Sequence, residues 1–337
     1  MRLLVVTQAV DTEDPVLGFF VRWIEELAKR VERVEVICLR EGRHDSLPAN
    51  VRVHSLGKEN GVSRVAYVFH FYRYISSLLY DAVFVHMNEE YVLLGGLFWR
   101  LGWTKVVLWR NHKKGSWKTR LSAALSDVVL YTSPQSYTAT FPNAIRMPVG
   151  IDTDFFTPDQ PLARHPRSIL FAGRIAPVKH VVEFIEALHT LRTLGVDFSA
   201  TVAGASLPYD KPYEDTVRAS VARYNLEDRV RFVGAVSQEG MRALYREHEI
   251  YVNLTPPGSM DKTIFEAMAC GTTPLVANRD LEDVLGVRRI ASSLDPHTLA
   301  MNMRDLFDSS HQDDLRGFVV REHSLAKLSD QLMGILI

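Results

Sequence analysis

The sequence predicts an α/β protein made of two doubly wound domains in tandem that face a cleft, and three observations predict it. Short β-branched runs alternate with longer runs of helical period, the pattern of parallel sheets covered by helices on both faces. The chain has 337 residues, about twice the length of a usual single domain. A stretch with three prolines and no helical period, MPVGIDTDFFTPDQP, interrupts the alternation and places a linker near residues 148–165.

Taken in order, the first set of strands is RLLVV, VEVICL, VRVHSL, AVFVHM, KVVLW and DVVLYTS, with helical stretches over 17–31, 62–79, 90–101 and 116–125 between them. In the second of these helices Val65, Val68, Phe69, Tyr72, Ile75 and Leu79 recur at helical spacing and read as core. The second set is SILFAG, DFSATVAGA, VRFVGAV, IYVNLT and TPLVAN, again separated by helices. The expected division is residues 1–149, 150–323 and a final helix, 324–337, whose Leu325, Leu328, Leu332 and Leu336 form one face that could pack on either domain.

Composition is that of a globular protein, with 47% hydrophobic and 23% charged residues and a net charge of -1, and no nucleic-acid motif is present. The charge is uneven. Lys and Arg outnumber Asp and Glu by 19 to 14 up to residue 150, and the remainder has 20 against 26. The first half is therefore the one that meets anionic partners. The two cysteines, Cys38 and Cys270, lack metal-ligand or redox spacing and read as reduced, buried thiols. MRLLVVTQAV is too short and strand-like for a signal peptide, and no apolar run approaches the roughly 18 residues that span a bilayer. A cytoplasmic protein is expected, peripheral on the inner face of the membrane if it meets lipid.

In open parallel sheets ligands bind outside the carboxyl ends of strands. SILFAGRIAPVKHVVEFIEAL ends a strand at Gly173, sends out Arg174, and places Lys179 near the start of a helix, so a guanidinium fork and an ammonium can converge on a diphosphate. Gly204 and Gly234 end the next two strands, where a base or ribose could lie against backbone, or where an ordinary turn needs glycine. After IYVNLT, the loop PPGSMDK leads into a helix whose Lys262, Thr263 and Ile264 amides would face an anion. Glu266, one turn in, is a carboxylate on an otherwise apolar helix and suits a ribose diol.

GRIAPVK, followed about ninety residues later by FEAMACGTTPLV, resembles the nucleotide-sugar domain of family 4 glycosyltransferases, with HMN, RNHKK and VGID in the expected order before it. The resemblance implies the GT-B fold, two Rossmann-like domains, the first on the acceptor side and the second binding nucleotide sugar. It also implies retaining transfer of a sugar from a nucleotide sugar, a UDP- or GDP-sugar, to an acceptor, and the basic charge of the first half points to a glycan or lipid-linked acceptor, as in synthesis of cell-surface polysaccharide or glycolipid. Arg174 and Lys179 correspond to the pair that neutralises the donor diphosphate, and Glu266 to the second of two glutamates eight residues apart. The first of these would stand at position 258, which is glycine, so the sugar-side contacts depart from the pattern; Asp261 and Lys262 are near enough to substitute.

His112, in VVLWRNHKKGSW, corresponds to the histidine that meets the donor sugar and the reaction centre, with His86, in AVFVHMNEEY, as the runner-up. Gly18, in the first strand-to-helix loop, either approaches the phosphates or serves a plain turn. Lys105 to Arg120 carries six basic residues with Trp109 and Trp117 and no acid, which fits an anionic membrane surface, a lipid-linked phosphate, or simply a solvated face. The Asp-x-Asp at Asp152 and Asp154 lies in the linker, away from the diphosphate residues. No cofactor or essential metal is expected beyond the nucleotide-sugar co-substrate. Other enzymes of the same fold, an epimerase or a phosphorylase, and a non-catalytic donor-binding protein remain the competing readings.

Overall fold

A computed structural model describes residues 1–14, 16–158, 164–258, 260–308 and 314–337. The chain divides into two compact units, Met1–Gly150 with Leu325–Ile337, and Ile151–Ser324. Part of the expected linker, residues 159–163, lies outside the described residues.

The first unit carries a seven-stranded parallel sheet: β1 (Arg2–Val10), β2 (Arg33–Glu41), β3 (Val51–Ser55), β4 (Ala82–His86), β5 (Lys105–Trp109), β6 (Val128–Tyr131) and β7 (Ala144–Arg146). Their order is β3-β2-β1-β4-β5-β6-β7. The six strands read from the sequence are all present; β7, three residues long with two of them exposed, has no apolar run to announce it. The central strands are buried on both faces, which is why they read as continuous apolar runs.

Between these strands lie α1 (Phe19–Ala28), α2 (Arg64–Ser77), α3 (Glu89–Leu101) and α4 (Trp117–Leu125). α1 covers one sheet face through Phe20, Trp23, Ile24 and Leu27. α2 and α3 cover the other, where Phe71, Ile75, Tyr91 and Trp99 meet Val83, Val85 and Leu108, with Leu125 at the end of α4 packed beside them.

The second unit carries β8 (Ser168–Ala172), β9 (Ser199–Ala203), β10 (Val230–Gly234), β11 (Ile250–Asn253) and β12 (Thr273–Val276), in the order β10-β9-β8-β11-β12. Its helices are α5 (Val181–Thr193), α6 (Lys211–Arg223), α7 (Gln238–Glu247), α8 (Lys262–Ala269), α9 (Glu282–Leu285), α10 (Pro296–Phe307) and α11 (Leu315–Phe318). The last helix, α12 (Leu325–Leu336), belongs to the first unit: its four leucines are buried in the α1 core, and Arg30 pairs with Asp330 at 2.8 Å. The backbone crosses between units at Gly150, where a Cβ would lie 2.6 Å from the Trp23 ring and 2.7 Å from Leu328. The indole of Trp23 donates to the Gly150 carbonyl at 3.0 Å.

One expectation fails. The α2 residues read as core are mostly on the surface: Val65, Val68, Phe69, Tyr72 and Leu79 are exposed, and only Ile75 is buried, together with Phe71. Both faces of this helix are apolar, so periodicity marks an amphipathic stripe without saying which stripe the sheet takes. The sheet takes the one centred on Phe71 and Ile75, one turn apart.

Both cysteines are free and buried in apolar surroundings that push their thiols up, as inert structural residues. The second unit also contains a pH-sensitive pin. His248, at the end of α7, donates from Nδ1 to the Leu244 carbonyl at 2.7 Å, and its Nε2 meets the Thr201 hydroxyl of β9 at 2.9 Å. Burial pushes this imidazole below its ordinary value of 6.5. The unfolded chain then binds a proton that the folded one resists, so stability is lost as pH falls below about 6.5. Thermal melts at pH 7.5 and 5.5 should show a smaller acid destabilisation in His248→Gln than in the natural protein; equal drops would move the effect elsewhere.

Candidate active site

The carboxyl edge of the second sheet collects the residues that the sequence singled out. β8 lies between β9 and β11, so the direction of strand succession reverses there, which is where an open α/β sheet leaves room for a ligand. Gly173, Gly204 and Gly234 stand at the ends of three adjacent strands. The amide of Gly173 donates to Ala203 at 3.0 Å, and that of Gly204 to Gly234 at 2.6 Å. At Gly204, with φ of +135°, a Cβ would sit 1.9 Å from the Gly173 carbonyl oxygen, so the close strand-end packing itself demands glycine.

Lys179 closes a short turn, Pro177–Lys179, before α5. Its ammonium donates to Asp261 Oδ2 at 2.6 Å and to the Thr255 hydroxyl at 2.9 Å. The same Oδ2 accepts from Asn253 Nδ2 at 3.1 Å and from Thr255 at 2.9 Å. Burial alone would raise the Asp261 carboxyl; the Lys179 charge and these hydrogen bonds hold it below the usual carboxylate range. Asp261 is the N-cap residue of α8 yet makes no side-chain cap bond, because its carboxylate is spent on Lys179. Arg174 turns the other way, donating to Tyr209 Oη at 3.2 Å with Asp210 at 3.7 Å. Arg174, just past β8, and Lys179, at the end of the turn before α5, thus hold separate partners.

The start of α8 needs one correction. The Ile264 amide, expected at the ligand, donates to the Asp261 carbonyl at 3.1 Å, and the Ile264 side chain is buried, which leaves Lys262 and Thr263 as the first-turn positions. The Thr263 hydroxyl accepts from Tyr251 Oη at 2.7 Å. Glu266 is buried, and its Oε2 accepts from the hydroxyl of fully buried Tyr245 at 3.1 Å. Burial pushes its carboxyl up, opposed by the Lys262 ammonium one turn back and by Tyr245. Lys262 shows the converse, pushed down by burial and opposed by Glu266. Gly258 is buried with φ of +116°, a backbone that side chains rarely adopt. The absent glutamate is therefore accompanied by a loop conformation shaped for glycine.

In the first unit the two histidines part company. His86 is buried, stacked on Phe20 at 4.0 Å between ring centroids, ringed by Phe19, Trp23 and Phe84, with Nδ1 3.4 Å from the Thr7 hydroxyl. His112 is exposed in the loop after β5, where its amide donates to Ser136 Oγ at 3.2 Å and its carbonyl accepts from Tyr137 at 3.0 Å. Its Nδ1 lies 3.0 Å from both the amide nitrogen and the carbonyl oxygen of Lys114, which holds the ring against its own loop. Gly18 packs against its own loop, with a Cβ position 2.7 Å from the Asp14 carbonyl oxygen and 2.9 Å from that of Thr12. Of the six basic residues between 105 and 120, Arg110 is not a surface cation, because it pairs with the buried Glu89 at 2.8 Å. Asp152 serves a turn, accepting from the Asp154 and Phe155 amides at 3.2 and 3.0 Å. Among the described residues no group of three or more His, Cys, Asp or Glu is placed to hold a metal.

Sequence reasoning missed the support of the site: Asn253 and Thr255 under Asp261, Tyr245 under Glu266, Tyr209 and Asp210 beside Arg174, and Ser136 behind His112. A usable signal existed for the first two, since polar residues at a strand end directly before Pro-Pro-Gly point into the ligand edge.

Two family models match the chain, glycosyl transferases group 1 over residues 152–283 and glycosyl transferase 4-like over residues 13–114. No curated protein matches it. Among solved structures, HepE of Anabaena in complex with UDP and glucose is similar at 16% identity and a TM-score of 0.77, covering 100% of this chain and 99% of that one. Sucrose-phosphate synthase of Thermosynechococcus elongatus follows at 18% identity and a TM-score of 0.75, over 99% and 98%. A TarM variant of S. aureus, in complex with fondaparinux, α-GlcNAc-glycerol and UDP, reaches a TM-score of 0.78 at 7% identity, over 99% of each chain. These identities carry the fold; the family models carry the membership. With a matching model in each unit and the GT-B fold over its whole length, the chain belongs to the GT-B glycosyltransferases of the family 4-like group.

Proposed function

We propose that this glycosyltransferase moves a sugar, with retention of configuration, from a UDP- or GDP-sugar to a glycan or lipid-linked acceptor, in the synthesis of cell-surface polysaccharide or glycolipid. The observation that carries the donor assignment is the Lys179–Asp261 pair at the head of α8, 2.6 Å long. In this reading the Asp261 carboxylate stands where an anionic ligand would, which supports a diphosphate meeting Lys179 there. The UDP held by HepE and TarM supports a nucleoside diphosphate donor.

In this reading Lys179 exchanges Asp261 for the diphosphate, Arg174 swings from Tyr209 to join it, and the first-turn amides of α8 complete the charge stabilisation of the leaving group. Gly173, Gly204 and Gly234 let the nucleotide lie against backbone, and Glu266 accepts from the two ribose hydroxyls. The acceptor hydroxyl attacks from the face the diphosphate leaves. His112 meets the donor sugar, while His86, caged by aromatic rings, supports the fold. No metal is required, since two cations and helix amides already oppose the diphosphate charge. The enzyme works in the cytoplasm, peripheral on the inner face of the membrane.

Incubation with a panel of UDP- and GDP-sugars and glycan or lipid-linked acceptors, read by nucleotide release and by the anomeric configuration of the product, tests this. Transfer with an α-donor giving an α-product supports it; an inverted product, donor isomerisation or phosphate-dependent cleavage would replace it. His112→Ala should lower kcat by about a hundredfold with a much smaller change in KM, and an unchanged kcat would remove His112 from the reaction.

A further inference from the structure

Of the 21 large hydrophobic residues exposed in the described chain, 12 fall within residues 65–121, a sixth of its length. That concentration makes a surface rather than a scatter. α2, α3 and α4 form one layer on the sheet: Phe71 of α2 meets Tyr91 and Trp99 of α3, Tyr72 Oη donates to the Leu94 carbonyl at 2.9 Å, and Gly96 of α3 abuts Leu125 of α4. Val65, Phe69 and Tyr72 run along the outer side of α2, Leu97 and Leu101 along that of α3, and Trp103 follows in the turn. Trp103 is 96% exposed and held at φ of +55°, a conformation that costs a bulky residue energy while its side chain stands in solvent.

The charge around these residues has one sign. Arg64, Arg73, Arg100, Lys113, Lys114 and Lys118 are exposed. The acids of the same region are mostly engaged elsewhere: Asp81 with Arg2 at 2.7 Å, Glu89 with Arg110, and Asp127 with the Val106 amide at 2.7 Å, which leaves Glu90 at the start of α3. Neither α2 nor α4 contains an acid. Aromatic and aliphatic side chains flanked by Arg and Lys suit the boundary between lipid headgroups and acyl chains, where the stems of the basic residues lie in the apolar layer and their heads meet lipid phosphates. A second copy of this surface would bring cations against cations.

We infer that the outer face of α2, α3 and the 101–103 turn is a docking surface for an anionic lipid bilayer. This deepens the peripheral-membrane part of the proposed function and is independent of the transfer reaction. The basic stretch 105–120 is then the edge of the surface, and α2, not that stretch, is its centre.

Cosedimentation of the full chain with phosphatidylcholine vesicles, with and without about one third phosphatidylglycerol, tests the inference. Binding to the anionic vesicles alone, weakened by salt, is expected. The combined Phe69→Ser, Leu101→Ser and Trp103→Ser variant should lose about tenfold or more of that binding while keeping its melting temperature and its UDP affinity. Partitioning equal to the natural protein's, no binding of the natural protein to anionic vesicles, or a dimer in solution that the triple variant dissociates would each overturn it. Transfer to a soluble acceptor, measured on the same samples, reports on the catalytic reading separately: an active enzyme that ignores vesicles refutes the docking surface alone.

Discussion

Lys179→Ala should weaken UDP binding about thirtyfold, since it removes a charge-assisted contact worth about 2 kcal/mol. The same substitution strands the Asp261 carboxylate, which Lys179 holds at 2.6 Å in a partly buried site. A stability loss of roughly 2 kcal/mol should follow, or about 5 °C in melting temperature for a unit of this size. The two effects separate in a double-mutant cycle. Asp261→Asn alone should tighten UDP several-fold, because the carboxylate that competes with the diphosphate for Lys179 is gone. Lys179→Ala combined with Asp261→Asn should regain much of the lost stability without regaining UDP affinity. If Asp261→Asn weakens UDP instead, the carboxylate assists the donor rather than competing with it, and the exchange of partners at Lys179 is wrong.

Glu266→Gln should weaken UDP about tenfold yet leave inorganic diphosphate within a factor of about two, because the carboxylate is assigned to the ribose and not to the phosphates. The pH dependence has a definite sign. Burial pushes the Glu266 carboxyl up, so it takes a proton at a milder acidity than an exposed glutamate does. In the proposed role the ionised form would accept from both diol hydroxyls, so UDP affinity should fall as pH drops below neutrality, and Glu266→Gln should flatten that fall. Calorimetric titration from pH 8 to pH 5.5 measures it. Equal losses for UDP and diphosphate would place Glu266 at the phosphates.

The strands were legible because they are long enough and buried enough to show as β-branched runs, and β7 was not because three residues, two of them exposed, carry no pattern. The arrangement at the carboxyl edge of the second sheet was legible because it is local: a glycine ending a strand, a cation a few residues on, a carboxylate one turn into a helix. What escaped was the chemistry that depends on distant partners. Nothing near Asp261 in the sequence announces Lys179, 82 residues away, which holds its carboxylate. The α2 face escaped for a different reason: periodicity shows that a helix has an apolar stripe, but Phe71 extends the apolar surface to a second face that shares Ile75, and only packing decides between them. His86 and His112 look alike as histidines near strand ends and differ entirely in what surrounds them, a cage of rings against open loop.

In the proposed reading the carboxyl edge of β8, β11 and the head of α8 form a nucleoside diphosphate site. Calorimetric titration of the protein with UDP and GDP tests it most directly, with Lys179→Ala and Glu266→Ala beside the natural chain. Saturable binding of at least one of the two nucleotides, weakened by both substitutions, is the predicted result; binding of neither, or binding that neither substitution changes, would contradict it.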